Sequence, residues 1–557
     1  MFTPAPHLRE FLLRTLLPCS LLLLAVSLLY GGFLSNPLVF DDIYFFDGKT
    51  PQAYAHSSFH LDLRWFAHAS LGWTAELFGQ YLLSFRLGNL ALHAATVIAL
   101  FLFLRALFAA TQESSLDLLT RTWQAFAGAL LFGLHPAAVY AAGYLIERSI
   151  VMATLFSLLA LHAYLMGLQG GRRFWFLASS AFYFLAVFSK EHAVMMPAVA
   201  LALTFLLYPF SRLPLERMVL PFVLFVLTGA LAVMKAKGVL GAPYEPFAQE
   251  MMKRMSEYGL AINVPHPYLS SVATQCFLFF KYLLLWLFPN PAWMSVDMRE
   301  TFAVNPVAWP YWLGIAGFVL YGVMGIWLLL QRGRKGLLGF AMLFPWLLFA
   351  TELSSVRIQE PFVLYRSYMW MAGIFSALPL LLGSVLSRRM AVYVLGAAML
   401  LALFAWNRLV TFSHPLLLWD DAAALIADRP YEPGFERIYF NRGHAFNKLN
   451  MNQQALDDCS RVIAYRPDYS YAYNDRGEVY YKLGQYRQAL DDLNKSIELK
   501  PDLPNPYFGR GLVLEALREP LAARADFMKS CELGMRAGCG RLGNVEVSAS
   551  NAPQPAP

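Results

Sequence analysis

Charge is scarce in this sequence. Only 15% of its 557 residues are Asp, Glu, Lys or Arg, whereas 58% are hydrophobic and 15% aromatic. The mean hydropathy is +0.45. Soluble domains carry about 25% charged residues, so an aqueous globular protein is excluded and an integral membrane protein is indicated. Cysteine is scarce as well: Cys19, Cys276, Cys459, Cys531 and Cys539 form no CxxC and no metal-ligand spacing. Of these, Cys531 and Cys539 could pair if the C-terminal part lies in an oxidising compartment. P-loop, GxSxG and HExxH patterns are missing too, which removes the usual grounds for an ATPase, a serine hydrolase or a zinc protease.

What is abundant is apolar sequence. Runs of 17 to 24 residues recur from Phe11 to about Val410, each long enough to cross about 30 Å of hydrocarbon as a helix. Beyond them, residues 414 to 557 are polar and rich in Tyr, Asp and Arg, so a second domain follows. The net charge of +7 sits mostly in short loops between the runs. That is the pattern of cytoplasmic retention signals rather than of a nucleic-acid footprint.

Arg9 and Arg14 precede the first run and place the N-terminus in the cytoplasm, with Asp41 and Asp42 outside. The first run is read as an uncleaved anchor. Residues 61 to 81 alternate polar groups with Leu63, Trp65, Phe66, Trp73, Leu77 and Tyr81, an interfacial amphipathic helix. Crossings are expected near 86–108, 122–140, 144–167, 173–189, 192–209, 217–234, 309–331, 337–353, 362–384 and 390–411. Arg332 to Lys335 and Arg388-Arg389 both read as cytoplasmic. With simple alternation they agree only if 271–288 dips in and returns, giving about eleven crossings in a polytopic all-α bundle and placing the polar domain on the side of Asp41.

The polar domain repeats every 34 residues, the period of tetratricopeptide (TPR) helix pairs. Arg442-Gly443, Arg476-Gly477 and Arg510-Gly511 are equally spaced, as are Asp458, Asp492 and Asp526. Small residues let paired helices approach closely, and Pro467 and Pro501 close two repeats. The reading is a transmembrane domain 1–411, a linker and docking helix 412–436 with Trp419, a TPR α-solenoid 437–542, and a disordered tail 543–557.

Four clusters could carry chemistry. Asp41-Asp42 lies at the mouth of the first span among Phe40, Tyr44, Phe45 and Phe46; in an extended loop the two would point apart, one free for general-base work on a hydroxyl. Helix capping is the plainer explanation. His135-Pro136 with Tyr140, Tyr144, Glu147 and Arg148 forms the second, where Glu147 and Arg148 could be a simple interfacial ion pair. Lys190-Glu191-His192 is either a solvated hairpin or a phosphate contact. Arg366 lies in an apolar run near Arg357, Glu360, Tyr365 and Tyr368, where a guanidinium needs an acidic partner or a bound phosphate.

These stretches, in order, resemble a known family. Val39-Phe-Asp-Asp-Ile-Tyr, Leu134-His-Pro with Glu147-Arg148, Phe188-Ser-Lys-Glu-His, Tyr282 to Pro289 with Ser295-Val-Asp297, and Tyr365-Arg-Ser-Tyr look like motifs of the transmembrane and tetratricopeptide-repeat O-mannosyltransferases. Those are type-C (GT-C) glycosyltransferases using polyprenyl-phosphate sugars outside the cytoplasm. The resemblance implies a catalytic acid/base at Asp41 or Asp42. It further implies donor-phosphate or substrate contacts from His135, Glu147, Arg148, Lys190, Glu191, His192 and Arg366. His192 stands where Gln is frequent and Glu147-Arg148 where Gly-Arg is usual, leaving the sugar and the acceptor open. No cofactor is read as certain, although a divalent metal is compatible. The expectation is a bacterial inner-membrane, inverting glycosyltransferase that moves a sugar, such as mannose, to a protein or glycan hydroxyl, its repeats recruiting the acceptor. Membrane lipid is the other partner, and nucleic acid is not one. The rival is a non-enzymatic membrane anchor whose repeats assemble envelope or pilus machinery.

Overall fold

The computed structural model describes residues 10–46, 49–59, 61–111, 117–238, 240–243, 266–358, 360–382, 388–429 and 434–542. Arg9, Asp47, most of the loop after Met234 and the tail expected at 543–557 lie outside them. The chain divides into two units, Met1–His414 and Pro415–Pro557. Among the described residues there are helices and no strands, only isolated bridges pairing Pro243 with Val356 and Met298 with Phe362.

In the first unit, a π turn (Leu12–Leu16) runs into α1 (Leu17–Gly31). Three shorter helices follow: α2 (Asp41–Phe45), α3 (Thr50–His56) and α4 (Trp65–Phe78). Next come α5 (Leu82–Thr111), α6 (Leu118–Gly133), α7 (Pro136–Ala142), α8 (Arg148–Gly170), α9 (Arg173–Val187), α10 (Met196–Leu207) and α11 (Leu215–Lys235). The remainder comprises α12 (Pro267–Leu287), α13 (Tyr311–Leu330), α14 (Gly333–Phe349), α15 (Ser367–Met371), α16 (Leu378–Leu382) and α17 (Arg388–Thr411).

Among the described residues eight helices are long and apolar enough to cross a membrane, or nine if α6 and α7 count as one bent span; Arg173–Val187 and Glu191–Leu207 are shorter apolar helices. Three expectations need correction. The segment expected to dip at 271–288 is the continuous 21-residue helix α12, one of the eight. The crossing expected at 362–384 is instead broken into a 3-10 turn at Leu364–Arg366, α15, a 3-10 stretch at Ala372–Ala377 and α16. Hydropathy sees only apolar content, and this segment is apolar because it is buried against other helices: Tyr368, Trp370 and Met371 are all inaccessible. The span expected at 122–140 also breaks, by 66°, because Pro136 has no N–H to continue the ladder and His135 turns the corner by accepting the Ala137 N–H on Nδ1. Elsewhere small residues permit close contact. A Cβ on Gly339 of α14 would lie 2.2 Å from the Leu329 nitrogen of α13, so that hairpin closes only with glycine there.

In the second unit, α18 (Pro415–Ala424) buries Trp419 and packs beside the first of three helix pairs. The pairs are α19 (Phe435–Lys448) with α20 (Asn452–Tyr465), α21 (Ser470–Lys482) with α22 (Tyr486–Leu499), and α23 (Pro504–Ala516) with α24 (Pro520–Glu532). Each pair is closed by one two-pronged clamp. Arg442 grips Asp458 at 2.8 and 2.9 Å, Arg476 grips Asp492 at 2.7 and 2.8 Å, and Arg510 grips Asp526 at 2.8 Å twice. The third guanidinium nitrogen reaches back to the preceding helix: to Asp420 of α18, Ser460 of α20 and Asn494 of α22. Thus α18 takes the place that a preceding repeat's second helix occupies. A disulfide joins Cys531 to Cys539.

Candidate functional site

The chain between α1 and α2 is tied down by its backbone. Arg86 of α5 donates to the carbonyls of Asn36, Pro37 and Gly143, and Asn36 donates to Leu409. Phe40 then takes a positive φ of 53°, a conformation uncommon for a bulky L residue that has to be held by its surroundings. Its consequence is a tight entry into α2. The expected extended loop is therefore a one-turn helix. Asp41 and Asp42 still diverge, but because successive helical residues are rotated by about 100° rather than by strand alternation.

Asp42 turns inward and is fully buried. Its Oδ1 accepts the Ile146 N–H at 2.9 Å and its Oδ2 the Leu145 N–H at 3.4 Å. Burial pushes this carboxyl up to about 7, against the pull of those N–H groups and of Arg86. Asp41 turns outward, its backbone N–H donating to the Tyr144 hydroxyl at 2.9 Å. Its side chain lines a cavity of about 180 Å³, and Asp42 does not.

Residues far apart in sequence complete this cavity. Lys190 enters from the corner after α9, its ammonium 2.9 Å from Glu147 Oε2 and 3.2 Å from Ser149 Oγ at the start of α8. It also lies 5.1 Å from the centre of the Tyr365 ring. Burial pulls Lys190 below the ordinary lysine value, and Glu147 opposes the shift. Arg366 enters from the broken segment, 3.0 Å from Glu352 Oε2 and 3.9 Å from Glu360. His192 bonds the other oxygen of Glu352 at 2.7 Å. Glu352, wholly buried, therefore holds two wall residues at once and is approached by Arg357 at 3.5 Å.

Of the sequence-predicted residues, the cavity gathers Asp41, Glu147, Lys190, His192 and Arg366. Glu191 stands behind the wall, gripping Arg64 at 2.9 and 3.3 Å. His135 and Arg148 are elsewhere. The His135 ring stacks on Trp286 at 4.2 Å between centroids and bonds its carbonyl, at a corner of the fold outside this lining. Arg148 and its neighbour Glu147 do not form the expected interfacial pair. Arg148 is buried and donates to neutral oxygens of Asn89, Ser70, Thr74 and Phe85, while Glu147 goes to Lys190. Two consecutive residues at a helix start point to different sides, so adjacency in sequence did not make them partners.

Arg64 and His68 line the cavity and escaped the sequence reading, as did Glu352. Spacing of i and i+4 puts Arg64 and His68 on one face at the head of α4, the signal that a reading of its apolar residues passes over. For Glu352 the signal was an acid ending an apolar run. His68 packs between Phe45 and Tyr54 and has a buried Nδ1 without a hydrogen-bond partner among the described residues. Burial, aided by Arg64, pushes it down to about 4, so at neutral pH it is an uncharged imidazole able to accept a hydrogen bond. The wall thus carries three acids (Asp41, Glu147, Glu360) and three strong bases (Arg64, Lys190, Arg366). Among the described residues no group of three or more His, Cys, Asp or Glu is placed to hold a metal ion.

Comparison with known proteins bears on the second unit. Residues 477–517 match the family model of the TPR repeat. No curated protein matches the chain. Among solved structures it is similar to the first TPR of Spaghetti (RPAP3) bound to HSP90 peptide SRMEEVD, with 19% identity over 21% of this chain and 94% of that one and a TM-score of 0.20. It is also similar to the crystal structure of MamA protein, with 22% identity over 30% of this chain and 86% of that one and a TM-score of 0.21.

Proposed function

We propose that the first unit is a membrane glycosyltransferase that moves a sugar from a polyprenyl-phosphate donor to a hydroxyl on a protein or glycan, and that the repeats recruit the acceptor. The observation that carries this reading is Asp41, a carboxylate turned into a cavity whose other walls bring Arg64, Lys190 and Arg366 from distant parts of the chain. Four of the resembling stretches contribute to its lining, through Asp41, Glu147, Lys190 with His192, and Tyr365 with Arg366.

In the reaction, Asp41 takes the proton of the acceptor hydroxyl as its oxygen attacks the anomeric carbon. The bond from that carbon to the phosphate oxygen breaks with inversion, and polyprenyl phosphate departs with the electron pair. Arg64, Lys190 and Arg366 are donors aimed at the charge that develops on the leaving phosphate. Their acidic partners fix them before the donor arrives, so little reorganisation is needed. His68 is placed to accept a hydrogen bond from a sugar or acceptor hydroxyl. The Cys531–Cys539 bridge supports placement of the repeats in an oxidising compartment, the side on which such donors are consumed. TPR repeats bind protein partners as a class, which suits acceptor recruitment.

The deciding experiment is transfer from a polyprenyl-phosphate sugar by the purified full chain, comparing wild type with Asp41→Asn. Loss of transfer with normal membrane insertion is expected. Undiminished transfer by the variant would remove the catalytic assignment, and absence of transfer with every donor would favour a scaffold.

A further inference from the structure

A second cavity, of about 470 Å³, lies in the first unit well away from Asp41. It is bounded by the start of the Leu12–Gly31 span, the end of α5, the start of α6 and the last turns of α8. Helix length gives the separation. Arg86, which holds the carbonyls beside the acidic doublet, and Arg105, which lines this second cavity, are both on α5, about 28 Å apart at 1.5 Å per residue. Along α8, Arg148 and Gln169 are about 31 Å apart by the same rise. Those lengths match the hydrocarbon thickness of a bilayer, about 30 Å. The two cavities therefore belong to opposite membrane faces.

The lining has two characters. Arg105 and Arg14 supply positive charge. Arg105 donates through Nη1 to the Arg14 carbonyl at 2.7 Å and to Thr15 Oγ1 at 2.8 Å, and among the described residues it forms no ion pair with a carboxylate. Arg14 has Glu10, which also belongs to the lining and is mostly exposed, at 3.3 Å, so Arg105 carries the cavity's unbalanced positive charge among the described residues. His162 adds a buried Nδ1 with no hydrogen-bond partner among the described residues. Against these polar groups lie Met166, Ala106 and Ala109. Phe11 and Leu118, also in the lining, are 55% and 40% exposed. A half-buried guanidinium that forms no ion pair with a carboxylate among the described residues favours an anion near a membrane; the apolar remainder of the wall needs something that is not water.

We propose that this cavity binds a phosphate carried on a lipid, at the membrane face opposite Asp41. The phosphate oxygens meet Arg105 and Arg14, the His162 ring supplies a further hydrogen bond, and the first carbons of the tail lie along Phe11, Leu118 and Met166. The inference is independent of the glycosyltransferase reading, since none of these residues belongs to the first cavity.

The test uses the full chain in phosphatidylcholine nanodiscs doped in separate arms with phosphatidylglycerol or undecaprenyl phosphate. Lipid retained after transfer to detergent is counted by native mass spectrometry. Wild type is expected to retain a phosphate lipid, and Arg105→Gln to lose about tenfold in retention, the effect of one charge-assisted contact. Arg105→Lys should keep part of it. Ala109→Trp, which fills the cavity and leaves both arginines in place, should lose it too, and it decides the matter if Arg105→Gln fails to fold. Retention in one arm only names the tail; retention in both assigns recognition to the phosphate head. Equal retention by wild type, Arg105→Gln and Ala109→Trp overturns the proposal. So does full displacement of the lipid by inorganic phosphate, which would make the ligand a water-borne anion.

Discussion

Lys190 and Glu147, 43 residues apart in sequence, meet at 2.9 Å with side chains only 2% and 7% exposed. A pair this deep is held by mutual need, because each charge alone would be stranded in a medium that solvates it poorly. It sits in the wall that faces Asp41, so its integrity sets the shape of the cavity.

Lys190→Met is expected to lower unfolding stability by about 3–5 kcal/mol, the usual cost of leaving one member of a buried pair unpartnered. Adding Glu147→Gln should recover a large part of that loss. Thermal unfolding of the two single variants and the double variant in detergent checks it; additive losses would show that the two charges are not coupled.

Asp41→Asn should reduce transfer by about 10²–10⁴-fold, the range for removal of a general base. Asp42→Asn should change it by less than about tenfold, since Asp42 serves backbone N–H groups and does not reach the cavity. Initial rates at saturating acceptor distinguish the two, and a reversed order would place the reactive carboxylate at Asp42.

The Asp42 carboxyl also predicts a pH signature. Its folded value is raised from 3.8 to about 7, so between those values the folded state binds more protons than the unfolded state. Stability from this group therefore falls as pH rises through that window and levels off above it. Unfolding temperatures measured from pH 4 to 8 should decline less steeply for Asp42→Asn than for wild type. Parallel curves would contradict the shift.

In the repeats, Arg476→Ala leaves Asp492 without its two-pronged partner and cuts the link to Ser460 of the preceding repeat. A loss of about 1.5–3 kcal/mol is expected, as for hydrogen bonds to a charged group. Arg476→Ala and Asp492→Ala together should lose less than the sum of the singles, which a double-mutant cycle on the full chain measures.

The repeats were readable because their information is local: the same Arg-Gly and Asp positions return at a fixed interval, and the clamps follow from that spacing. The acidic doublet was readable for a related reason, since carboxylates beside an apolar run attract notice wherever they occur. The partner of each ionisable residue was not readable. Glu147 lies next to Arg148 in sequence and pairs with Lys190 in space; Arg64 is gripped by Glu191; Glu352 gathers His192 and Arg366. Those choices are settled by how helices pack, which periodicity does not record. The broken segment at 364–382 was hidden similarly, because burial among helices and burial in lipid select the same residues.

The doublet's geometry carries a consequence for how this protein can change. One acid is latched to the corner at Leu145 and Ile146, and the other is thereby aimed. Shifting the acidic group by one position would turn the wrong side chain toward the cavity and undo the latch in the same stroke. Evolution or an engineer can thus alter what surrounds the aimed carboxylate far more freely than where along the chain it stands.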